Sequence, residues 1–451
     1  MKRSHLVAAA IVVAASGAAL WGFDRLAGVA AGYFAKVACS EIFVAGRDEK
    51  TVISREFENI SPAFDFVAGD VDKDRKSVSA SLFIFGRAQA IYREGYGCTL
   101  VRGGAPAETA PQRPIRDIAL PDVTVSGGAA RNDVDYAAIE AALDDAFAEP
   151  AAATRAILVV KDGAVIAERY AEGFSRDTPF LSWSMAKSVT ASMIGAAVLH
   201  GFIDINAPAP VPEWRADPER AAITWNDLLQ MQSGLAFSEQ YGQPNSDVNQ
   251  MLFLARDAGG IAARKRLSHP PGAYWSYSSG TTNLLQRTLR ETLEANDVDY
   301  HSFARESLFE PIGASSFILE PDASGTFIGS SFVYATMRDW AKLGLLYLND
   351  GEAHGERVLP SGWNRYAAAP ASASDGFYGA QFWLNHPGAK GRPKYVPGAP
   401  DDAYLMAGHE GQYVLIVPDK NLVIVRTGMT RGVEPMPLVA PVFAAIYAAV
   451  P

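Results

Sequence analysis

Ser184 and Lys187 are the residues whose types and spacing most clearly indicate chemistry. They lie in the stretch FLSWSMAKSVT, residues 180–190, where an apolar segment begins. Side chains three positions apart lie on one face of a helix, so the hydroxyl and the amine would point the same way. A serine hydroxyl becomes a good nucleophile when a neighbouring group takes its proton. A lysine can take it when burial destabilises the ammonium form, and the uncharged residues around Lys187 predict such burial.

The same pair also has a purely structural interpretation. Ser184 could cap the helix, and Lys187 could extend its amine to solvent. A Ser-x-x-Lys spacing alone is a weak signal, although this is the only one in the sequence. The choice therefore depends on partner residues elsewhere in the chain.

A candidate partner is Tyr277, in the stretch AYWSYSSGTTNLL, residues 273–285. It is predicted to lie on a loop before a helix, where its hydroxyl could relay a proton between Ser184, Lys187 and a leaving group. The alternative is a buried aromatic residue with a satisfied hydroxyl.

A second set of partners lies at the front of an apolar strand, in MAGHEGQYVLIV, residues 406–417. Gly411 would let a substrate lie against the strand edge. The backbone N–H groups of Gln412 and Ser184 could together form an oxyanion hole. His409 and Glu410 match the start of the zinc-protease motif His-Glu-x-x-His, but its fifth position is Tyr413, so no metal site is predicted. No organic cofactor is implied. His409 could also be a surface residue.

Size and composition bound the protein class. The chain has 451 residues, 49% hydrophobic and 20% charged, which is typical of a folded globular protein with one large domain and a smaller one. The formal net charge of -10 argues against a nucleic-acid surface, which needs a basic patch. Nothing indicates the oligomeric state.

The first residues predict export. Lys2 and Arg3 precede an apolar run from Leu6 to Phe23, which is typical of a secretory signal or an uncleaved membrane anchor. Residues 1–38 are therefore assigned to a signal peptide or anchor, with cleavage and retention both open. In either case the rest of the chain is expected in the periplasm or cell envelope. If the segment is retained, residues 6–23 would anchor the protein to the inner membrane.

The two cysteines, Cys39 and Cys98, agree with export, because an exported pair is expected to form a disulfide. Residues 39–123 are predicted to be a small β-rich segment that this bond stabilises, followed by a Pro- and Ala-rich linker. Residues 124–451 would form the main domain. There, a hairpin, a long helical middle and returning strands predict an α+β fold whose terminal segments share one antiparallel sheet.

Together, these motifs resemble the serine β-lactamase and penicillin-binding-protein superfamily, in particular its class C-like branch of esterases and 6-aminohexanoate-dimer hydrolases. The resemblance covers about residues 155–428 and includes WSMAKSVT, YSSGTTNLL, YGAQFWLN and GHEGQ. It implies a central antiparallel sheet flanked by helices, with a mostly helical subdomain. It also implies that Ser184 is acylated, that Lys187 and Tyr277 act as acid and base, and that Ser184 and Gln412 form the oxyanion hole.

Two departures from the family pattern bear on the substrate. The family's Tyr-x-Asn ends here in Ser279, so a shorter hydroxyl replaces the amide that would bind an acyl carbonyl. The usual Lys-Thr/Ser-Gly has His409 in place of lysine, and histidine is mostly neutral near pH 7. β-Lactams and peptidoglycan stems present a carboxylate to that lysine, so uncharged esters or amides are favoured.

Three aromatic residues are candidate substrate contacts. Tyr241 matches the position of a substrate-contacting tyrosine in the 6-aminohexanoate-dimer hydrolases. Trp183 and Trp275 could line an apolar acyl pocket or be core residues. The predicted function is a serine hydrolase of small esters or linear amides. The alternatives are a penicillin-interactive D,D-peptidase or weak β-lactamase, and a non-catalytic cell-envelope binding module on the same fold.

Overall fold

The computed structural model describes residues 2–124, 130–388 and 391–451, with side chains from residue 20 onward. The side chains of Lys2, Arg3 and the first part of the predicted apolar run lie outside the described residues. The α-helices are α1 (Lys2–Phe43), α2 (Glu49–Arg55), α3 (Tyr136–Ala148), α4 (Ala186–Leu199), α5 (Pro218–Ala221), α6 (Trp225–Leu229), α7 (Asp247–Phe253), α8 (Gly259–Ala263), α9 (Ser279–Glu294), α10 (Tyr300–Ala304), α11 (Met337–Leu348), α12 (Trp363–Ala367) and α13 (Pro435–Ala449).

The strands form four antiparallel sheets within the described residues. They are β1 (Val67–Asp72), β2 (Ser77–Leu82), β3 (Phe85–Arg93), β4 (Gly97–Leu100), β5 (Thr154–Lys161), β6 (Ala164–Tyr170), β7 (Phe180–Leu181), β8 (Ile318–Leu319), β9 (Val333–Ala335), β10 (Glu352–Ala353), β11 (Glu356–Arg357), β12 (Trp383–Leu384), β13 (Tyr404–Gly408), β14 (Gln412–Val417) and β15 (Leu422–Gly428).

The chain divides into two compact units. Unit 1 comprises Met1–Ala107, Ser238–Asp257 and Asp322–Ser324, and unit 2 comprises Glu108–Phe237, Ala258–Pro321 and Gly325–Pro451. Unit 1 therefore includes two short segments that are distant in sequence and that no local pattern assigns to it.

Unit 1 is a four-stranded sheet in the order β1-β2-β3-β4, with α1 packed against it. The predicted segment boundary after residue 38 falls inside α1, which continues to Phe43. The helix contributes Ala31 and Phe34 to the core of the unit, so the unit is less purely β than its sequence predicted. A disulfide joins Cys39 in α1 to Cys98 in β4, with the two Cα atoms 6.0 Å apart.

Helix α1 is also the one described helix that is long and apolar enough to cross a bilayer. Its segment Leu20–Phe43 has a mean hydropathy of 1.3, and 72% of the apolar window is buried against protein. Length and composition alone do not distinguish a membrane span from a core helix, and this burial assigns the second half of α1 to the core of unit 1.

Unit 2 is built on a six-stranded antiparallel sheet in the order β12-β13-β14-β15-β5-β6. Its central strands are buried along their whole length, because helices cover both faces. Leu415 and Ile424 belong to the core formed with α3 and α13. On the opposite face, Gly344 of α11 packs directly on Val414 and Val423.

This arrangement confirms the predicted α+β fold. Strands β5 and β6 come from the start of unit 2 and β13–β15 from its end, and both groups pair in one sheet through β15 and β5. The helical middle supplies α4, in which every residue from Ala186 to Ala197 is buried. Helices α4 and α9 contact each other. They carry the predicted catalytic motifs next to the sheet.

Candidate active site

The predicted nucleophile lies in a tight turn between β7 and α4. Residues Trp183–Met185 form one 3-10 turn, and α4 follows directly. The backbone of Trp183 has φ 43°, in the left-handed region that large side chains rarely adopt. Such a conformation typically costs about 1–3 kcal/mol, so the surrounding contacts must hold it. Ser182 supplies one of them, because its hydroxyl donates to the Trp183 carbonyl at 2.9 Å.

Lys187 lies at the centre of a compact polar cluster. It is 1% exposed, and its Nζ is 2.9 Å from the Ser184 Oγ. The same Nζ donates to the Ser279 Oγ at 2.9 Å and to the Ser330 carbonyl at 3.0 Å. The sequence-predicted pair is therefore within hydrogen-bond distance, one helical turn apart as expected. The interpretation that Lys187 extends to solvent is wrong, since the side chain is buried.

Tyr277 lies beside this cluster. The Lys187 Nζ lies over the Tyr277 ring, 4.8 Å from its centre. Tyr277 precedes α9, and the Ser278 hydroxyl caps that helix by accepting from the Thr281 N–H at 3.0 Å. This cap fixes the end of the loop and therefore the position of Tyr277, which directly precedes it.

Two residues of the cluster had no detectable sequence signal. Ser330 supplies the carbonyl that Lys187 contacts, and the Asn283 side chain holds Ser330 through two hydrogen bonds of 3.1 and 3.2 Å. Asn283 lies on α9, one turn after Ser279. Nothing local distinguishes these residues from ordinary buried polar residues, because their roles depend on packing between distant segments.

The segment between β13 and β14 approaches the nucleophile turn closely. A Cβ at Gly408 would overlap the Ser182 carbonyl, so only glycine permits this contact. The Trp183 indole N–H donates to the Glu410 carboxylate at 3.2 Å, and Arg431 forms an ion pair with the same carboxylate. The residues on the N-terminal side of Ser184 are thus fixed to the segment that leads into β14.

Further hydrogen bonds hold the conformation of the turn before β14. Glu410 and Gly411 both have left-handed backbones, with φ 61° and 84°. The buried Arg426 donates to the Gly411 carbonyl at 2.6 Å. Burial lowers the pKa of Arg426 to about 10, so its guanidinium remains charged at neutral pH. The Gln412 side chain donates to the carbonyls of His409, at 3.0 Å, and Gly428, at 2.7 Å. The Gln412 backbone is therefore rigidly placed.

His409 combines an exposed side chain with a crowded neighbourhood. Its ring is open to solvent and packs edge-on against Trp183 at 5.8 Å. The surrounding protein atoms partly desolvate the imidazolium, and this lowers the pKa of His409 below its usual value; the nearby Glu410 charge opposes this effect, and the Arg431 charge adds to it. His409 is accordingly neutral near pH 7.

The other predicted contacts are found in different surroundings. Ser279 is fully buried against Lys187. Trp183 is 6% exposed and bound to Glu410. Trp275 is half-buried, with its ring 6.4 Å from that of Tyr277. Tyr241 belongs to unit 1, where it is 44% exposed and its hydroxyl donates to Glu239 at 2.9 Å.

Further aromatic residues pack against Tyr277 and Trp275. Its ring contacts Trp383, at 5.5 Å, and Tyr378, at 5.9 Å. Trp275 contacts Phe377 at 4.6 Å and Tyr378 at 5.4 Å. We call Trp275, Phe377, Tyr378 and Trp383 the aromatic wall. Three of its members come from the stretch FYGAQFW, which follows the helical middle of the chain.

Comparison with known proteins identifies the family. The model of the beta-lactamase family matches residues 139–446, which is well over half of the chain. The chain belongs to the beta-lactamase family. This confirms the resemblance that the Ser184, Tyr277 and His409 motifs indicated.

Individual relatives of this beta-lactamase family member include hydrolases. A 6-aminohexanoate-dimer hydrolase from Paenarthrobacter ureafaciens is 27% identical over 263 residues, which cover 51% of this chain and 64% of that protein. The match thus spans slightly less than two thirds of the relative's length. Its name describes that protein's activity.

Solved structures show the same fold. A candidate 6-aminohexanoate-dimer hydrolase from Bacillus anthracis has a TM-score of 0.58 at 22% identity, covering 74% of this chain and 89% of that one. A family VIII carboxylesterase has a TM-score of 0.53 at 15% identity, covering 70% and 97%. These likenesses place unit 2 in the β-lactamase-like fold.

Proposed function

We propose that this beta-lactamase family member is a serine hydrolase that cleaves uncharged esters or linear amides through a covalent acyl-enzyme. The observation that carries the proposal is the Lys187 Nζ, 2.9 Å from the Ser184 Oγ, with the Tyr277 ring 4.8 Å away. Nucleophile and base within hydrogen-bond reach are the geometric signature of an activated serine.

In the acylation step, Ser184 is the nucleophile. Lys187, acting as a neutral amine, accepts the Ser184 hydroxyl proton while Oγ bonds to the substrate carbonyl carbon. The carbonyl oxygen becomes an oxyanion, which accepts hydrogen bonds from the backbone N–H groups of Ser184 and Gln412. One such donor is typically worth about 10²–10³ in rate.

The leaving group then needs a proton. The proton held by Lys187 reaches the departing oxygen or nitrogen through the Tyr277 hydroxyl, and the bond from the carbonyl carbon to that atom breaks. Water enters and gives a proton to the same relay as it attacks the acyl carbonyl. The Ser184 Oγ leaves and is reprotonated, which restores the free enzyme.

The surroundings of the site favour an apolar, uncharged acyl group. Of the aromatic wall, Trp275 and Trp383 are partly exposed beside Tyr277 and offer a surface on which such a group can pack. His409, neutral at pH 7, stands where the family pattern has a lysine, and a neutral imidazole attracts a substrate carboxylate only weakly. This argues against the D,D-peptidase and β-lactamase alternatives. The names of the hydrolase and esterase relatives are consistent with linear amides and esters.

We also propose that the protein acts outside the cytoplasm. The apolar run after Lys2 and Arg3 is typical of an export signal or anchor. The disulfide between Cys39 and Cys98 supports the same location, because such bonds persist in oxidising compartments.

The test is covalent labelling with a fluorophosphonate probe. We expect the purified protein to be labelled on Ser184, and labelling to disappear in Ser184→Ala and Lys187→Ala. Tyr274→Phe is a matched control, since Tyr274 is 51% exposed and stacks on His269. Labelling that persists in Ser184→Ala, or that never occurs in folded wild-type protein, would reject the catalytic proposal and favour a binding module.

A substrate panel separates the remaining alternatives. Short chromogenic esters and linear amides should be hydrolysed faster than a cephalosporin by the wild-type protein, and Ser184→Ala should hydrolyse none of them. Rapid cephalosporin turnover without esterase or amidase activity would overturn the substrate class while leaving the acyl-enzyme mechanism intact.

A further inference from the structure

Unit 1 exposes a cluster of large apolar side chains at one end of its sheet. Ile84 is 74% exposed, Phe83 60% and Phe66 56%, and the rings of Phe66 and Phe83 are 5.3 Å apart. The first described turns of α1 add further exposed residues, among them Trp21 at 64%. We call this cluster the apolar tip, and its members are Leu20, Trp21, Phe23, Phe66, Phe83 and Ile84.

The hairpin that carries Phe83 and Ile84 is fixed to α1. The Gly86 N–H donates to the Asp24 carboxylate at 2.8 Å, and the Phe85 and Phe23 rings meet edge-to-face at 5.2 Å. Gly86 has φ 61°, and a Cβ there would overlap the backbone of Ala27, so glycine permits the close approach. The turn between β2 and β3 therefore has a defined position on the helix.

The order of these contacts gives the direction of the hairpin. Gly86 contacts α1 at Ala27, and Phe85, one residue earlier, contacts it at Phe23. Residues that come earlier in β3 therefore lie nearer the N-terminal end of α1. Phe83 and Ile84 come earlier still, so the turn points in the same direction and lies beside the helical turn that contains Leu20 and Trp21.

Helix α1 continues from this point into an apolar run. Leu6 to Phe23 is an 18-residue run, which as a helix is about 27 Å long, close to the roughly 30 Å hydrocarbon thickness of a bilayer. A helix that crossed with this run would leave the hydrocarbon at Phe23, level with the apolar tip. Arg25 then lies just outside, packed over the Trp21 ring at 5.1 Å, and tryptophan at that level is typical of membrane interfaces.

We propose that the apolar tip docks on a lipid bilayer where α1 enters it. The second half of α1 is core and the first half is anchor, so the hairpin turn is held at the membrane surface by a continuous helix. A soluble domain rarely leaves such a contiguous apolar patch uncovered. The covalent continuity of the patch with the apolar run favours lipid over a protein partner.

The test is depth-dependent quenching in the full chain, reconstituted in phosphatidylcholine vesicles. Cys39 and Cys98 are paired, so a single introduced cysteine can carry a bimane label. Ile84→Cys and Phe66→Cys report on the apolar tip at independent positions. Lys73→Cys is the matched control, because this side chain is 71% exposed in the turn at the opposite end of β2. Val12→Cys reports whether the apolar run is in the bilayer.

With lipid that carries a nitroxide near the headgroup, we expect at least twofold stronger quenching at residues 84 and 66 than at residue 73, and with lipid that carries the nitroxide in the middle of the acyl chain we expect quenching at residue 12. Equal quenching at residues 84, 66 and 73 would overturn the proposal, and so would an unquenched label at residue 12. Protection of residues 84 and 66 from aqueous iodide without quenching by lipid would mean that a protein surface covers the tip, which also overturns it.

Discussion

The Trp183 indole N–H donates to the Glu410 carboxylate at 3.2 Å, across 227 residues of sequence. Trp183 immediately precedes the proposed nucleophile, and Glu410 lies two residues before the proposed oxyanion donor Gln412. Both residues have left-handed backbones, with φ 43° and 61°. One hydrogen bond therefore connects the two strained turns that lie next to the proposed oxyanion donors.

Replacing Glu410 should impair catalysis more than binding. We expect Glu410→Ala to lower kcat by about 10²-fold, the effect of a misplacement near 1 Å, with little change in KM. Glu410→Gln keeps an acceptor for the Trp183 indole and should lose less activity. Glu434→Gln, an exposed acidic neighbour, is the control for a general charge effect. Steady-state kinetics on a short ester would reject this role if Glu410→Ala retained the wild-type kcat.

Removing the Tyr277 hydroxyl should slow proton transfer. Tyr277→Phe keeps the ring over Lys187, so we expect folding to be preserved and kcat to fall by about 10²–10⁴-fold. Tyr274→Phe should behave as wild type. A Tyr277→Phe variant with unchanged kcat would assign proton relay to another group.

Ser279 distinguishes a positioning role from a substrate contact. Because its hydroxyl accepts from Lys187 and is fully buried, Ser279→Ala should lower kcat with KM unchanged. The sequence alone indicated a substrate-binding position. A rise in KM at constant kcat would support that interpretation instead, and steady-state kinetics with an ester and an amide would decide between them.

The charge of His409 should govern the response to substrate carboxylates. Its pKa is lowered by partial desolvation, so protonation requires a pH below the usual value near 6.5. In the wild type, KM for a carboxylate-bearing ester should therefore fall as pH decreases through that range. His409→Lys should lower that KM and make it independent of pH between about 6 and 9, since a lysine remains charged there. The uncharged analogue is the control. Equal KM values in both proteins would show that residue 409 does not face the substrate.

Local features of the site could be predicted from sequence, and features that depend on long-range packing could not. The Ser184–Lys187 contact follows from helix geometry, and the pairing of terminal strands follows from their hairpin patterns. Ser330 and Asn283 could not be predicted, because the packing of distant segments brings Ser330 to Lys187 and Asn283 to Ser330. The core role of the second half of α1 could not be predicted for a different reason, because it directly follows an apolar run that is typical of a signal or anchor, and the predicted boundary after residue 38 cut the helix.

Peptide mapping by mass spectrometry during ester turnover can detect the proposed acyl bond on Ser184 itself. After rapid acid quenching, the tryptic peptide that contains Ser184 should carry the mass of the acyl group, and Ser184→Ala should carry none. The adduct should accumulate further in Tyr277→Phe if deacylation uses the same relay. Turnover of the ester with no acyl group on Ser184 at any quench time, or with the acyl group on another residue, would show that Ser184 is not the nucleophile.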